Sequence, residues 1–192
     1  MTRLVPIFRS RMRAGMLTAA SWMLIGTAAQ AASPHRYEVS VDESLERIAV
    51  RACFGGKAPD ALVAESDGAR FYLESMRLGG RLLEPAGDRV NLGAVREDTC
   101  VEYQVKLQPA QSRAQTGGPE TRRVGRDMLT SIGDWLWRPQ DQETDLELRF
   151  QLPPGVEVSA PWRRHTESDG RPLFLAGATP RDGPGVVAFG HF

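Results

Sequence analysis

The side chains with chemical potential are few: two cysteines, three histidines and, downstream of residue 31, three tryptophans. His35, His165 and His191 lie far apart, and none stands in an H-E-x-x-H frame, which would put two imidazoles on one helical face. Each reads as a surface or strand-end histidine. Two cysteines are too few for a structural zinc site, which takes four ligands. Ser131, in Leu129-Thr130-Ser131-Ile132-Gly133, imitates a G-x-S-x-G nucleophile elbow but lacks its first glycine. Gly55-Gly56-Lys57 has a lysine after glycines without the spacing of a phosphate loop, and a turn explains it better. Glu97 with Asp98, or Glu143 with Asp145, offers a carboxylate pair for glycosidase chemistry on paper, and solvated strand edges are the simpler reading. The expectation is a chain with no catalytic residue, no metal and no cofactor.

Cys53 and Cys100 each sit in a strand-like run, within Val50-Arg51-Ala52-Cys53-Phe54 and Thr99-Cys100-Val101-Glu102-Tyr103. On the oxidising side of a membrane they are expected to join in a disulfide, the alternative being two separate buried thiols. Trp135, Trp137 and Trp162 form the one aromatic concentration. Trp135 and Trp137 are two apart, so on a strand they would point the same way. An exposed row of that kind stacks on sugar rings or grips a peptide, with Arg138 laid over one ring as a cation. Burial in a core is the preferred reading, since large aromatics contribute most there.

The elements that must position these groups are mostly strands. Tyr37-Glu38-Val39-Ser40-Val41 alternates, and a longer, less regular strand follows over Leu45 to Phe54. Phe71 to Leu78, then Gly79-Gly80, then Arg81-Leu82-Leu83 reads as a hairpin on paired glycines, with a competing helix over Ala69 to Leu78. Cys100 to Leu107 alternates most cleanly, with one apolar and one polar face. Residues 111–126 have no apolar rhythm and read as a mobile, protease-sensitive loop. Structure resumes at Asp127, and Asp145 to Leu152, Val156 to Ser159, Pro172 to Leu175 and the closing Val186-Val187-Ala188-Phe189 read as further strands. The expected fold is a mainly β, antiparallel sandwich of eight to ten short strands over residues 32–192.

Ahead of it stands an export signal. Arg3, Arg9, Arg11 and Arg13 precede any acid, an apolar run follows from Ala14 through Ile25, and Ala29-Gln30-Ala31 offers small residues at −3 and −1. The strongly apolar core is shorter than the about 20 residues that span a bilayer. Cleavage after Ala31 is therefore expected, with membrane contact only during export and a periplasmic or secreted destination. The 24 basic and 24 acidic residues balance, and removing four signal arginines leaves the exported part at net −4. That acidity argues against nucleic acid and anionic membranes as partners.

In pattern the exported part resembles the N-terminal β domain of the glycyl aminopeptidase family, zinc metallopeptidases that often carry a PDZ domain. The resemblance is carried by Tyr37–Val41 leading into Leu45–Phe54, by Cys100-Val101-Glu102-Tyr103-Gln104-Val105 and by Trp135-Leu136-Trp137-Arg138-Pro139. It continues through Leu146-Glu147-Leu148-Arg149-Phe150-Gln151-Leu152-Pro153-Pro154-Gly155-Val156, Pro161-Trp162 and Val187-Ala188-Phe189-Gly190-His191-Phe192. The W-x-P-G-x-Y-type stretch typical of that domain is missing between Pro59 and Leu73, as are the zinc-binding helix and its glutamate. The resemblance implies a non-catalytic accessory domain, separate from its catalytic domain or packed on a partner protein. It transfers no zinc ligand. The rival expectation is a secreted sugar- or peptide-binding module using Trp135, Trp137 and Trp162, and a hydrolase of unrecognised type stands third.

Overall fold

The computed structural model describes residues 33–55, 58–95, 99–107, 121–140, 144–177 and 185–192. The expected export signal at 1–31 and most of the expected 111–126 loop lie outside them.

The described residues contain fifteen strands and two one-turn helices. The chain is mainly β, as expected, and the strands outnumber the eight to ten anticipated because many are only two to four residues long. In chain order they are β1 (His35–Val41), β2 (Arg47–Cys53), β3 (Ala61–Ala64), α1 (Ala69–Tyr72), β4 (Leu73–Leu78), β5 (Arg81–Leu82), β6 (Arg89–Asn91) and β7 (Cys100–Lys106). There follow β8 (Arg122–Val124), β9 (Asp127–Ser131), α2 (Ile132–Trp135), β10 (Trp137–Pro139), β11 (Leu146–Gln151), β12 (Glu157–Ser159), β13 (Arg163–Thr166), β14 (Pro172–Ala176) and β15 (Val186–Gly190).

An eight-stranded sheet runs β13-β14-β11-β1-β2-β7-β4-β5. Two smaller sheets run β10-β3-β6 and β12-β15-β9-β8. Pairing is antiparallel throughout except between β1 and β11, which run parallel with His35 opposite Leu146 and Ser40 opposite Gln151. Alternation decides which side chains enter the core. Val39 is registered with Val50 and Phe150, Val50 with Tyr103, and Tyr103 with Met76, and all five are buried. The smaller sheets close over this face. The Tyr37 hydroxyl donates to the Trp137 carbonyl at 3.0 Å, and the Trp137 N–H donates to the Tyr103 hydroxyl at 3.3 Å, pinning β10 to the large sheet. Phe150 meets Phe189 of β15 at 6.0 Å between ring centroids.

The turns follow the sequence closely in two places. Gly79 and Gly80 both have positive φ, +55° and +85°, the geometry of a two-residue hairpin that side-chain-bearing residues resist. Between β1 and β2, the Asp42 carboxylate accepts from the N–H groups of Glu46 and Arg47 at 2.8 and 3.1 Å. That turn holds buried Leu45 at φ +59°, a strained value for a branched residue that its burial offsets. The helix considered over 69–78 survives as the single turn α1, after which β4 takes over. The end of the expected loop is also ordered differently. Arg122–Val124 forms an edge strand on β9, and Gly125 at φ +63° makes the hairpin turn. All three residues of β8 are exposed, so they carried no apolar rhythm to read.

Candidate functional site

Trp135 closes α2 and Trp137 opens β10, so the two do not share a strand, and the same-face argument for them fails. Both are fully buried. Trp135 stacks edge-on against Phe150 at 6.4 Å, Phe150 against Phe174 at 5.5 Å, and Phe174 against Trp162 at 6.4 Å. Only Trp162, at the far end of this chain of rings, keeps partial exposure. Among the described residues neither buried indole N–H has a hydrogen-bond partner. Arg138 is buried too: its Nε lies 3.4 Å from Glu65 and its Nη1 donates to the Gly177 carbonyl at 3.4 Å. Burial pushes the phenols of Tyr37 and Tyr103 well above their ordinary range, with Arg138 opposing in both cases. They are neutral clamps on the Trp137 backbone.

Beside the aromatics lies a polar cluster that sequence reasoning missed. Asp134, nearly buried in α2, accepts from the Thr121 hydroxyl at 2.8 Å, and Thr121 is itself 2.9 Å from the hydroxyl of Thr130. The hydroxyls of Ser66 and Tyr72 also serve the carboxylate. Burial raises the Asp134 carboxyl above its usual range, and these hydrogen bonds pull the other way. Gly133 makes the approach possible: a Cβ there would lie 3.2 Å from Ser66. No local pattern announces the cluster, because its members are spread from residue 66 to residue 134.

Cys53 and Cys100 are joined. They are register partners on β2 and β7, with Cα atoms 4.3 Å apart. His35, the first residue of β1, is buried, packs edge-on against Phe54 at 5.6 Å and accepts the Gly55 N–H at Nδ1, 3.1 Å away. Burial lowers its basicity. His165 is exposed on β13, and His191 lies 3.9 Å from Asp127. Among the described residues no group of three or more His, Cys, Asp or Glu could hold a metal ion. Glu97, Asp98 and Glu143 fall outside those residues, and Asp145 contributes its carbonyl to the His35 N–H.

The outward face of the eight-stranded sheet is ordered into rows by strand register. Glu38, Arg51, Glu102 and Arg77 follow one another across β1, β2, β7 and β4. Arg51 sits 3.8 Å from Glu38 and 3.6 Å from Glu102, bridging both. The next row is neutral: Gln151, Ser40, Ala49, Gln104 and Ser75. Short side chains there leave a recess of about 350 Å³ beside the ionic row. Amide and hydroxyl groups form its floor and paired ions its wall.

Fold and site define a disulfide-bonded β protein of three sheets, with a closed aromatic core and a polar face on its largest sheet. No family model and no curated protein matches the sequence. Among solved structures, yeast leukotriene A4 hydrolase is similar at 11% identity and TM-score 0.40, over 83% of this chain and 29% of that one. The M1 zinc metallopeptidase of Deinococcus radiodurans is similar at 10% identity and TM-score 0.43, over 82% of this chain and 42% of that one. The chain thus spans less than half the length of either, and at these scores neither assigns it a family.

Proposed function

We propose that this chain is an exported, non-catalytic accessory domain that works by packing against a partner, in the manner of the N-terminal domain of glycyl aminopeptidase-like metallopeptidases. The observation that carries the reading is the division of side chains. Trp135, Trp137, Phe150, Phe174 and Phe189 are sealed in the core, and the broad eight-stranded face presents interleaved Arg, Glu, Gln and Ser around a shallow recess. Contacts between separately folded units are about as polar as ordinary surface and are enriched in arginine. The Cys53–Cys100 bridge supports an oxidising compartment, and with it the export signal. Among the described residues no helix is long and apolar enough to cross a membrane.

The test has two arms. Purified protein with added zinc is expected to leave glycyl-p-nitroanilide intact, and turnover above the zinc blank overturns the non-catalytic assignment. In the second arm, the reading frames adjoining this one are searched for an H-E-x-x-H helix, and the encoded catalytic domain is mixed with the protein in sedimentation velocity. A one-to-one complex weakened by Arg51→Glu is expected. Adjoining frames without that motif, or no complex, count against a peptidase partner.

A further inference from the structure

The eight-stranded sheet ends at β13, whose sequence is Arg163-Arg164-His165-Thr166 and whose four residues are all exposed. It pairs with β14 on one side and with no described strand on the other. Register fixes where its side chains point. Arg164 lies opposite buried Phe174 and shares the inner side of the sheet, whereas Arg163 and His165 lie opposite Leu175 and Leu173 on the outer side. Cations therefore stand on both sides of one unpaired strand edge.

The neighbouring carboxylates are already taken. Glu167 pairs with Arg149 at 3.2 Å and Arg171 at 3.7 Å, Asp169 with Arg171 at 2.6 Å, and Glu147 with Arg149 at 3.3 Å and Arg36 at 3.7 Å. Arg163 and Arg164 have no side-chain partner among the described residues. The excess charge at this edge contrasts with an exported part that is net acidic.

We propose that the outer edge of β13 accepts, as an added strand, a short extended run of consecutive acidic residues from another polypeptide. Strand addition supplies the main-chain hydrogen bonds, and alternate side chains supply selectivity. Because cations flank both sides, consecutive carboxylates fit better than alternating ones: neighbouring residues of an extended segment point to opposite sides. Cationic edges also repel basic and apolar strands that would otherwise aggregate there. The same arginines that exclude those strands select an acidic one. This inference is independent of the packing role proposed for the outward sheet face.

Fluorescence anisotropy with a fluorescein-labelled Gly-Ser-Glu-Glu-Glu-Glu-Ser-Gly peptide tests it. Saturable binding with a dissociation constant below about 1 mM is expected. It should weaken about tenfold with Arg163→Glu/Arg164→Glu, and the lysine version of the peptide should then bind that variant better than the wild type. A peptide carrying the same charges but N-methylated at alternate backbone nitrogens should bind about tenfold more weakly to the wild type, since only strand addition needs those donors. No saturation up to that concentration, equal binding of the N-methylated peptide, or an unchanged constant in a variant with wild-type thermal midpoint each overturns the proposal. Phosphatidylglycerol vesicles that bind the protein and displace the peptide would assign the edge to an anionic surface and overturn it as well. The N-methyl comparison uses wild-type protein alone, so it decides the matter even where the double variant misfolds.

Discussion

The Cys53–Cys100 bridge offers the most direct quantitative test of the fold. It joins residues separated by 47 positions, and the excursion between them contains β3 to β6 and the short helix α1. β2 and β7 are already paired over seven registered residues, so the bridge adds little to the native ladder that hydrogen bonds do not hold. Its effect falls on the unfolded chain, whose ends it ties. The chain-entropy model gives about 4 kcal/mol for a loop of this length at 25 °C. For a domain of this size each kcal/mol moves the midpoint by roughly 2–4 °C, so Cys53→Ala/Cys100→Ala should melt about 8–16 °C lower. Calorimetry and urea titration measure this, with reduced wild type as the companion sample. The denaturant slope should rise in the variant, because the untied unfolded chain exposes more surface. A midpoint change under about 2 °C, or a variant without native β structure, would refute the argument that the bridge acts on the unfolded state.

Three further predictions rest on single positions. His35 is buried with lowered basicity, so below its ordinary value of 6.5 the unfolded chain binds the proton first. Its contribution to stability is present above that value and lost as pH falls below it, and urea midpoints across pH 5 to 7 should slope less in His35→Asn. Asp134 has the opposite sign: its carboxyl is raised above 3.8, so the folded state binds the proton first and the cost of the buried charge is relieved as pH falls. Asp134→Asn should remove that relief, seen as a flatter stability profile on the acid side, and an unchanged profile would place the carboxylate in solvent. Phe150 meets Trp135, Phe174 and Phe189, so Phe150→Ala should lower unfolding free energy by about 3–5 kcal/mol in urea titration.

What the sequence disclosed follows from what alternation can encode. β7 was legible because Val101, Tyr103 and Val105 enter the core while Glu102, Gln104 and Lys106 face out. The β4–β5 hairpin was legible because paired glycines have a local reason to be there. β13 was illegible because all four of its residues are exposed, and a strand with no buried face leaves no rhythm. β3 failed for the converse reason, with three of its four residues buried. Partner choice is a separate matter: nothing in the alternation of β1 and β11 announces that they pair in parallel. The tryptophan pair lies in the core, as preferred, but the same-face argument for it assumes one continuous strand, and a helical turn ends between the two. The Asp134 cluster draws on residues 66, 72, 121 and 130 as well as 134, mostly far apart in sequence.

The way the sheets are tied together bears on where binding can reside. Trp137 is held through its backbone by two tyrosine hydroxyls and through its neighbour Arg138 by Glu65, so β10 is fixed to the large sheet and to the end of β3 at once. A ligand that drew Trp135 or Trp137 outward would have to break those contacts and open the Phe150 cluster, at a cost comparable to a core truncation of about 3–5 kcal/mol. That cost would be subtracted from any stacking energy, which for an aromatic pair is about 0.5–1.5 kcal/mol beyond its area burial. That pairwise excess alone does not repay the opening. The two surfaces proposed above, the register-ordered polar face of the large sheet and the cationic edge of β13, need no such rearrangement.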